Sequence, residues 1–292
     1  MILTLVSSSP ATSPEDLFAG HLSRIISAAG EPTILSPMKA AEIKMRTAPS
    51  AAQIHDVRTI CNRAGVDIFL THENNRRKKM ILADMDSTMV GEETLDELAG
   101  YAGIKDKIAA ITARAMNGEL NFHDALRERV GLLKGLSAEK LEETLAHTTI
   151  NKGAKTLIST MKAHGAKAVL VSGGFTFFTG RIGEMLGFDH NHGNTLIIED
   201  GVLTGGVGEP IQDKTSKLNF LNSYCEEFGL GANDVMSIGD GANDLPMLNA
   251  AGLGIGYYAK PSVEAELTNF IRFNDLTAAL YAQGYKESEF SA

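Results

Sequence analysis

Cysteine is nearly missing from this 292-residue chain: Cys61 and Cys225 are the only two. They supply neither a disulfide framework nor a cluster of thiolate ligands, and they suit a reducing compartment. No apolar run is long enough to span a bilayer, and the N-terminus has no charged segment ahead of an extended apolar stretch. A cytoplasmic location with no membrane partner is therefore expected. Positive charge is also scarce, 27 Lys and Arg against 36 Asp and Glu, for a net charge of −9. That balance argues against nonspecific binding to nucleic acid or acidic membranes. A negatively charged ligand would need individually placed lysines and arginines. What remains is an ordinary globular composition, long enough for one large core and a smaller domain.

The stretch from Ile81 to Thr94, ILADMDSTMVGEET, is where the chemistry concentrates. An apolar β-type run, Met80 to Ala83, leads into Asp84 and Asp86, followed by Ser87 and Thr88. Just past a strand end, two carboxylates at this spacing can share one crevice, the place where open α/β sheets bind ligands. Their mutual repulsion is relieved by a cation or a retained proton, and magnesium, which favours a few carboxylates with phosphate oxygens and water, would suit. Aspartates that cap the following helix are the plainer explanation of the motif taken alone.

Residues 1–73 follow the order β-α-β-β-α-β, the ferredoxin-like α+β pattern: a strand at Ile2 to Ser7, a helix opened by Ser13-Pro14 and closed near Gly30, strands at Pro32 to Met38 and Ala41 to Met45, a helix at Ile54 to Cys61, and a strand at Val66 to Thr71. Residues 74–90 read as a linker and the first core strand, and the basic run Arg76 to Lys79 reads as a solvated face. Residues 91–152 hold four short helices that look like a lid. Thr94 to Glu97 form a capping box that leaves Glu93 just outside the first helix. On the third, Arg129 falls within the stripe of Phe122, Ala125, Leu126, Val130 and Leu133, while Arg127 points away. A guanidinium on an apolar face needs an anionic partner, either in a structural ion pair or on a ligand. From 153 to 292 strands alternate with helices, which implies an α/β doubly wound parallel sheet. It includes a hairpin around Asp200-Gly201, and His190-Asn191-His192 reads as a solvated loop.

Two strand ends in this last region carry Ser172-Gly173-Gly174 and the loop Gly239 to Asp244, and a helix between them carries Lys217. Together with Asp84 they supply what phosphoryl transfer needs: a carboxylate nucleophile, a metal pocket, donors for phosphate oxygens and a cation. The set DMDST, GEET, MNGELNF, LRERVGLL, VSGGF, Lys217 and GDGANDLPML resembles the haloacid dehalogenase-like phosphatases, and among them those acting on phosphoserine. The resemblance spans about residues 80 to 285. It extends less clearly to residues 1–73, where the match is to a small regulatory (ACT-like) domain.

The resemblance implies a Rossmann-like core and Mg2+-dependent hydrolysis of O-phospho-L-serine to L-serine, the last step of serine biosynthesis. By position, Asp84 would be the nucleophile and Asp86 the general acid and base. Mg2+ would be held by Asp84, the Asp86 carbonyl and Asp240, with Asp244 steadying it. Ser172, Gly173, Gly174 and Lys217 would bind phosphate, with Asn243 near it. Glu93 would meet the substrate ammonium and Arg129 its carboxylate, while Met116 and Phe122 would wall the pocket. A transferase passing phosphate to an alcohol such as homoserine, a phosphatase for a related amino-acid phosphate, or a catalytically silent amino-acid sensor would use the same scaffold. A homodimer is compatible with the sequence.

Overall fold

The computed structural model describes residues 1–116 and 119–291, and of Met116 the backbone alone. The N-terminal part runs β1 (Ile2–Ser7), α1 (Pro14–Gly20), β2 (Thr33–Ser36), β3 (Ala40–Lys44), α2 (Ala51–Arg63) and β4 (Val66–Thr71). Its four strands form one antiparallel sheet in the order β2-β3-β1-β4, the arrangement expected of a ferredoxin-like unit. Helix α1 is shorter than its apolar pattern suggests. It ends at Gly20, a poor helix former, and a 3-10 turn at Leu22–Arg24 carries Leu22 and Ile26 into the small core instead. Leu3 and Leu5 of β1 pack with Phe18, Val57 and Cys61 under the helices, whereas Val6 and Phe69 on the other face join the main core. All six β1 residues are buried, because both faces of the sheet are covered.

The basic run after β4 is only in part a solvated face: Arg77 and Lys79 are exposed, whereas Arg76 and Lys78 are drawn in. Arg76 pairs with Glu42 at 2.8 Å, both nearly out of solvent, and its guanidinium also reaches Thr71, Thr4 and the Ala282 carbonyl. Arg77 lies 4.1 Å over the Tyr285 ring and pairs with Glu289. Lys78 is buried against the carbonyls of Asn75 and Asn233, and Lys79 reaches Asp234. A run that would be dispersed in a flexible linker is here the seam between two packed units, and each charge is met by an acceptor from one side or the other.

Strand β5 (Met80–Ala83) opens the second unit. Helices α3 (Thr94–Tyr101), α4 (Lys105–Met116), α5 (Phe122–Gly131) and α6 (Glu139–His147) follow as one insertion, closed at its base by the pairing of Val90 with Ile150. The chain continues through α7 (Ala154–Ala163), β6 (Lys167–Phe175), α8 (Thr176–Leu186), β7 (His190–Asn194) and the hairpin β8 (Leu196–Glu199) and β9 (Val202–Val207). It ends with α9 (Lys214–Phe228), β10 (Val235–Gly239), α10 (Leu245–Ala250), β11 (Leu253–Tyr257), α11 (Pro261–Glu264), β12 (Phe270–Ile271) and α12 (Ala278–Ala282). Six strands make a parallel sheet in the order β12-β11-β10-β5-β6-β7.

From β5 the chain winds outward to β6 and β7, then crosses back to β10, β11 and β12. This double winding places the topological switch between β5 and β10. Ile81, Ala83, Ala168 and Leu170 pack on one face beneath α7, α8 and α12, and Met80, Leu82, Val169 and Val171 on the other beneath α9 and α10. Coverage of both faces is why these strands read as continuous apolar runs.

The hairpin turns at Asp200 (φ 48°) and Gly201 (φ 77°), as a two-residue turn with both central residues left-handed requires. Its strand β9 also pairs with the insertion, through Gly135 N–H to Leu203 O and Ala138 N–H to Gly201 O, both 2.8 Å. The sequence His190-Asn191-His192, expected in a loop, forms the edge strand β7. There His192 stacks on Phe220 at 3.8 Å and meets the Tyr224 hydroxyl at 2.7 Å. An edge strand needs only one ladder neighbour, and aromatic groups of α9 supply the packing that its own side chains lack. No helix of the described residues is long and apolar enough to cross a membrane.

Candidate active site

The carboxyl ends of β5, β6 and β10 meet over the switch point. Asp84 follows β5, its N–H still bonded to the Ile238 carbonyl at 3.0 Å, so the sheet itself fixes the start of the motif. Its Oδ1 accepts the Met85 N–H at 2.8 Å and the Lys217 ammonium at 2.6 Å. Lys217, on the second turn of α9, also donates to Asp244 Oδ1 at 2.5 Å, and Asp244 Oδ2 accepts the Gly241 N–H at 3.0 Å. Asp84, Lys217, Asp240 and Asp244 are all buried. Gly239 makes this packing feasible, since a Cβ there would lie 2.5 Å from the Asp244 carboxyl carbon.

Electrostatics follow from burial and proximity. Desolvation, with the Asp244 charge behind it, raises the Asp84 pKa well above the ordinary carboxylate range, against the pull of Lys217. For Lys217 burial favours the neutral amine, but Asp244 and Asp84 outweigh it and keep the ammonium charged. Carboxylate oxygens of Asp84, Asp240 and Asp244 lie within 4.8 Å of one another, a grouping that could hold a cation. Asp244 is already committed to Lys217 and Gly241, so the freer oxygens belong to Asp84 and Asp240.

Asp86 turns away from that cluster. Its Oδ1 accepts the Thr94 N–H at 2.9 Å and its Oδ2 accepts the Ser172 hydroxyl at 3.0 Å. Residues 172–174 step out of the sheet ladder in a bulge between Val171 and Phe175. A Cβ at Gly174 would come within 2.7 Å of Asp86 Oδ2, so that position needs glycine for close approach. Burial raises the Asp86 pKa, opposed by the Thr94 N–H and the Ser172 hydroxyl. The expected capping box of α3 is absent in this arrangement. Glu93 is the N-cap residue and makes no capping bond with its side chain, Thr94 already belongs to the helix, and the Asp86 carboxylate takes the orphan Thr94 N–H. Ser87, left-handed at φ 54°, donates its hydroxyl to Glu93 Oε1 at 2.9 Å.

Asp84, Asp86, Glu93, Phe122, Arg129, Ser172, Gly173, Gly174, Asp240 and Asn243 line one cavity of about 160 Å³. Lys217 and Asp244 are not in its wall. Lys217 instead borders a neighbouring cleft with Phe122 and Asn243, and the expected pocket residue Met116 has a side chain outside the described residues. Arg129 donates Nε–H to the Ala125 carbonyl at 3.2 Å and has no ion pair among the described residues. Arg127, two residues earlier, is exposed and pairs with Glu209 at 2.7 Å. Burial lowers the Arg129 pKa, against Asp96 and Glu93, and burial together with Asp86 raises that of Glu93.

Five wall residues are outside the expected site set: the apolar Leu95, Leu126 and Phe175, and the polar Thr94 and Lys260. Thr94 was placed one step outside its helix. Lys260 follows β11, another strand end on the same side of the sheet, and the rule that found Asp240 could have found it.

The sequence model of the haloacid dehalogenase-like hydrolases matches residues 81–249. A phosphoserine phosphatase of Archaeoglobus fulgidus is 44% identical over 206 residues, which cover 70% of this chain and 60% of that protein. One from Lactococcus lactis is 42% identical over 203 residues, 70% of this chain and 94% of the relative. The crystal structure of a HAD-family hydrolase of Salmonella enterica serovar Typhi superposes with a TM-score of 0.88 at 28% identity, covering 96% of this chain and 97% of that one. The chain thus spans three fifths of the length of the Archaeoglobus relative, 60%. The matched segment carries every carboxylate of the buried centre and the lysine between them, and the chain belongs to the haloacid dehalogenase-like hydrolases.

Proposed function

We propose that this chain is a phosphoserine phosphatase, hydrolysing O-phospho-L-serine to L-serine and phosphate through a phosphorylated Asp84. The observation that carries the reading is Arg129, a guanidinium with no ion pair among the described residues, in the same small cavity as Glu93 and Asp84. A cation and a carboxylate flanking a nucleophile are the complement of an amino acid bearing a phosphate, and relatives named phosphoserine phosphatases support that choice.

Lys217 and the Met85 N–H hold the Asp84 carboxylate in place, and one of its oxygens attacks phosphorus while the other remains for the ion. Asp86, its pKa raised by burial, is the acid that gives a proton to the departing serine oxygen and then takes one from the water that opens the aspartyl-phosphate. Ser172, the Gly173 and Gly174 amides and Lys217 stabilise the charge on the transferring group, with Asn243 beside them. Arg129 meets the substrate carboxylate, Glu93 its ammonium, and Phe122 forms the wall.

The oxygen-only donor set of Asp84 and Asp240, with the Asp86 carbonyl, fits a magnesium ion, which keeps waters and shares phosphate oxygens. Such an ion would neutralise charge on the phosphoryl group. The helices α3 to α6 serve as a lid that excludes water. A cytoplasmic location fits two buried, unpaired cysteines.

Phosphate release from phosphoserine, phosphothreonine and an aryl phosphate, with and without chelator, tests the reading. Phosphoserine should be strongly preferred, chelation should abolish turnover, and Asp84→Asn should be inactive. An Asp84→Asn variant that releases phosphate normally would remove the nucleophile from the scheme.

A further inference from the structure

Lys260 has no part in the mechanism above, yet it grips one of the carboxylates that mechanism depends on. Its backbone N–H donates to the Asp240 carbonyl at 2.9 Å, and its Nζ lies 3.0 Å from Asp240 Oδ2. Its side chain is 54% exposed and that of Asp240 only 8%, so the ammonium enters from the solvent side of the cavity. Lys217 differs in this respect. It is 4% exposed and clamped between Asp84 and Asp244, with no room to leave. The two lysines therefore divide the three clustered carboxylates between them, one fixed and one free to swing. Glu93 lines the same cavity as Lys260 and Asp240.

We propose that Lys260 is a resident competitor for the cation site: its ammonium shares Asp240 with the divalent ion and weakens the hold on that ion. The inference rests on the reading that Asp84 and Asp240 bind a divalent cation. Two positive groups on one carboxylate repel, and an oxygen already donated a hydrogen bond is a poorer ligand. Because Lys260 is half in water it can yield, so the effect is a loosening and not a block. A site built from few carboxylates, one of them shared with a lysine that can withdraw, would hold its ion exchangeably.

Mg2+ titration into the full-length protein, read by calorimetry and by the Mg2+-dependent rise in melting temperature, tests this without reference to turnover. Lys260→Gln should bind Mg2+ about threefold to tenfold more tightly than the unaltered protein, with the gap narrowing at high salt. Lys260→Arg, which keeps the charge, should stay within about twofold. Lys44→Gln makes the same change in net charge on the N-terminal sheet, where Lys44 pairs with Glu73, and should leave the affinity unchanged. Equal or weaker binding by Lys260→Gln, or equal tightening by Lys44→Gln, would overturn the proposal while leaving the cation site standing. If the unaltered protein shows neither binding heat nor a melting shift, the cation reading itself fails and the competition with it.

Discussion

Arg127 and Arg129 are two positions apart and lead different lives, one in a solvent-exposed pair with Glu209, the other turned into the cavity. Arg129→Ala should lower kcat/KM for phosphoserine by at least about tenfold, since charge-assisted hydrogen bonds contribute roughly 1.5 to 3 kcal/mol each. The loss on an aryl phosphate should be small. Equal losses on both would make Arg129 a structural residue. Ser172 donates to Asp86 Oδ2 and so favours the ionised acid. Ser172→Ala removes that donor, which should raise the Asp86 pKa further and move the alkaline limb of the kcat/KM profile to higher pH. A limb that stays put or moves down would separate Ser172 from the acid. Arg129 was legible because helical periodicity places a side chain on a face from spacing alone. The Thr94 N–H was not, since which backbone donor a carboxylate finds depends on the entry angle of a helix.

At the scale of elements, α9 has two duties, covering one face of the sheet and delivering Lys217. Asp213 caps it, accepting the Thr215 and Ser216 N–H groups. Asp213→Ala should cost about 1 kcal/mol of stability, the usual worth of an N-cap. The Thr215 hydroxyl and the two amides pull the Asp213 pKa down to about 2. A depressed carboxyl stabilises the fold when ionised, so the difference between the two proteins should be full above about pH 4 and fade as pH falls toward 2, as denaturation curves would register. A difference that persists at pH 2 would mean that packing, not the cap, was lost. Strand and helix identities were largely readable here, because parallel strands buried on both faces leave long apolar runs. The strand at His190–Asn194 was not, because its packing comes from Phe220 and Tyr224, about thirty residues downstream.

Over the whole molecule, the N-terminal sheet is mortised into the second unit. Asp67 accepts the backbone N–H groups of Arg272 and Asn274, Asn269 pairs with the Leu70 backbone, and Phe69 enters the main core. Phe69→Ala should therefore destabilise the protein by about 3 to 5 kcal/mol, the usual cost of emptying a buried aromatic site. The loss should appear as one transition moved to lower temperature. Two separated transitions would show the units to be energetically independent. Here the sequence was least informative. The basic run Arg76 to Lys79 has the composition of a solvated linker, and only the contacts of Arg76 with Glu42 and of Lys78 with Asn233 reveal a seam. Long-range partners leave no local trace in composition.

The first amide of α3 ends on the Asp86 carboxylate, and the residue before it is Glu93. In the proposed reaction, the group that senses the ligand's amine and the group that supplies the leaving-group proton thus share one helix terminus. A phosphate ester without an amine would fail to seat that terminus and would be handed a misaimed acid. Such esters should be slow even at saturation, and discrimination would register in kcat as well as in KM.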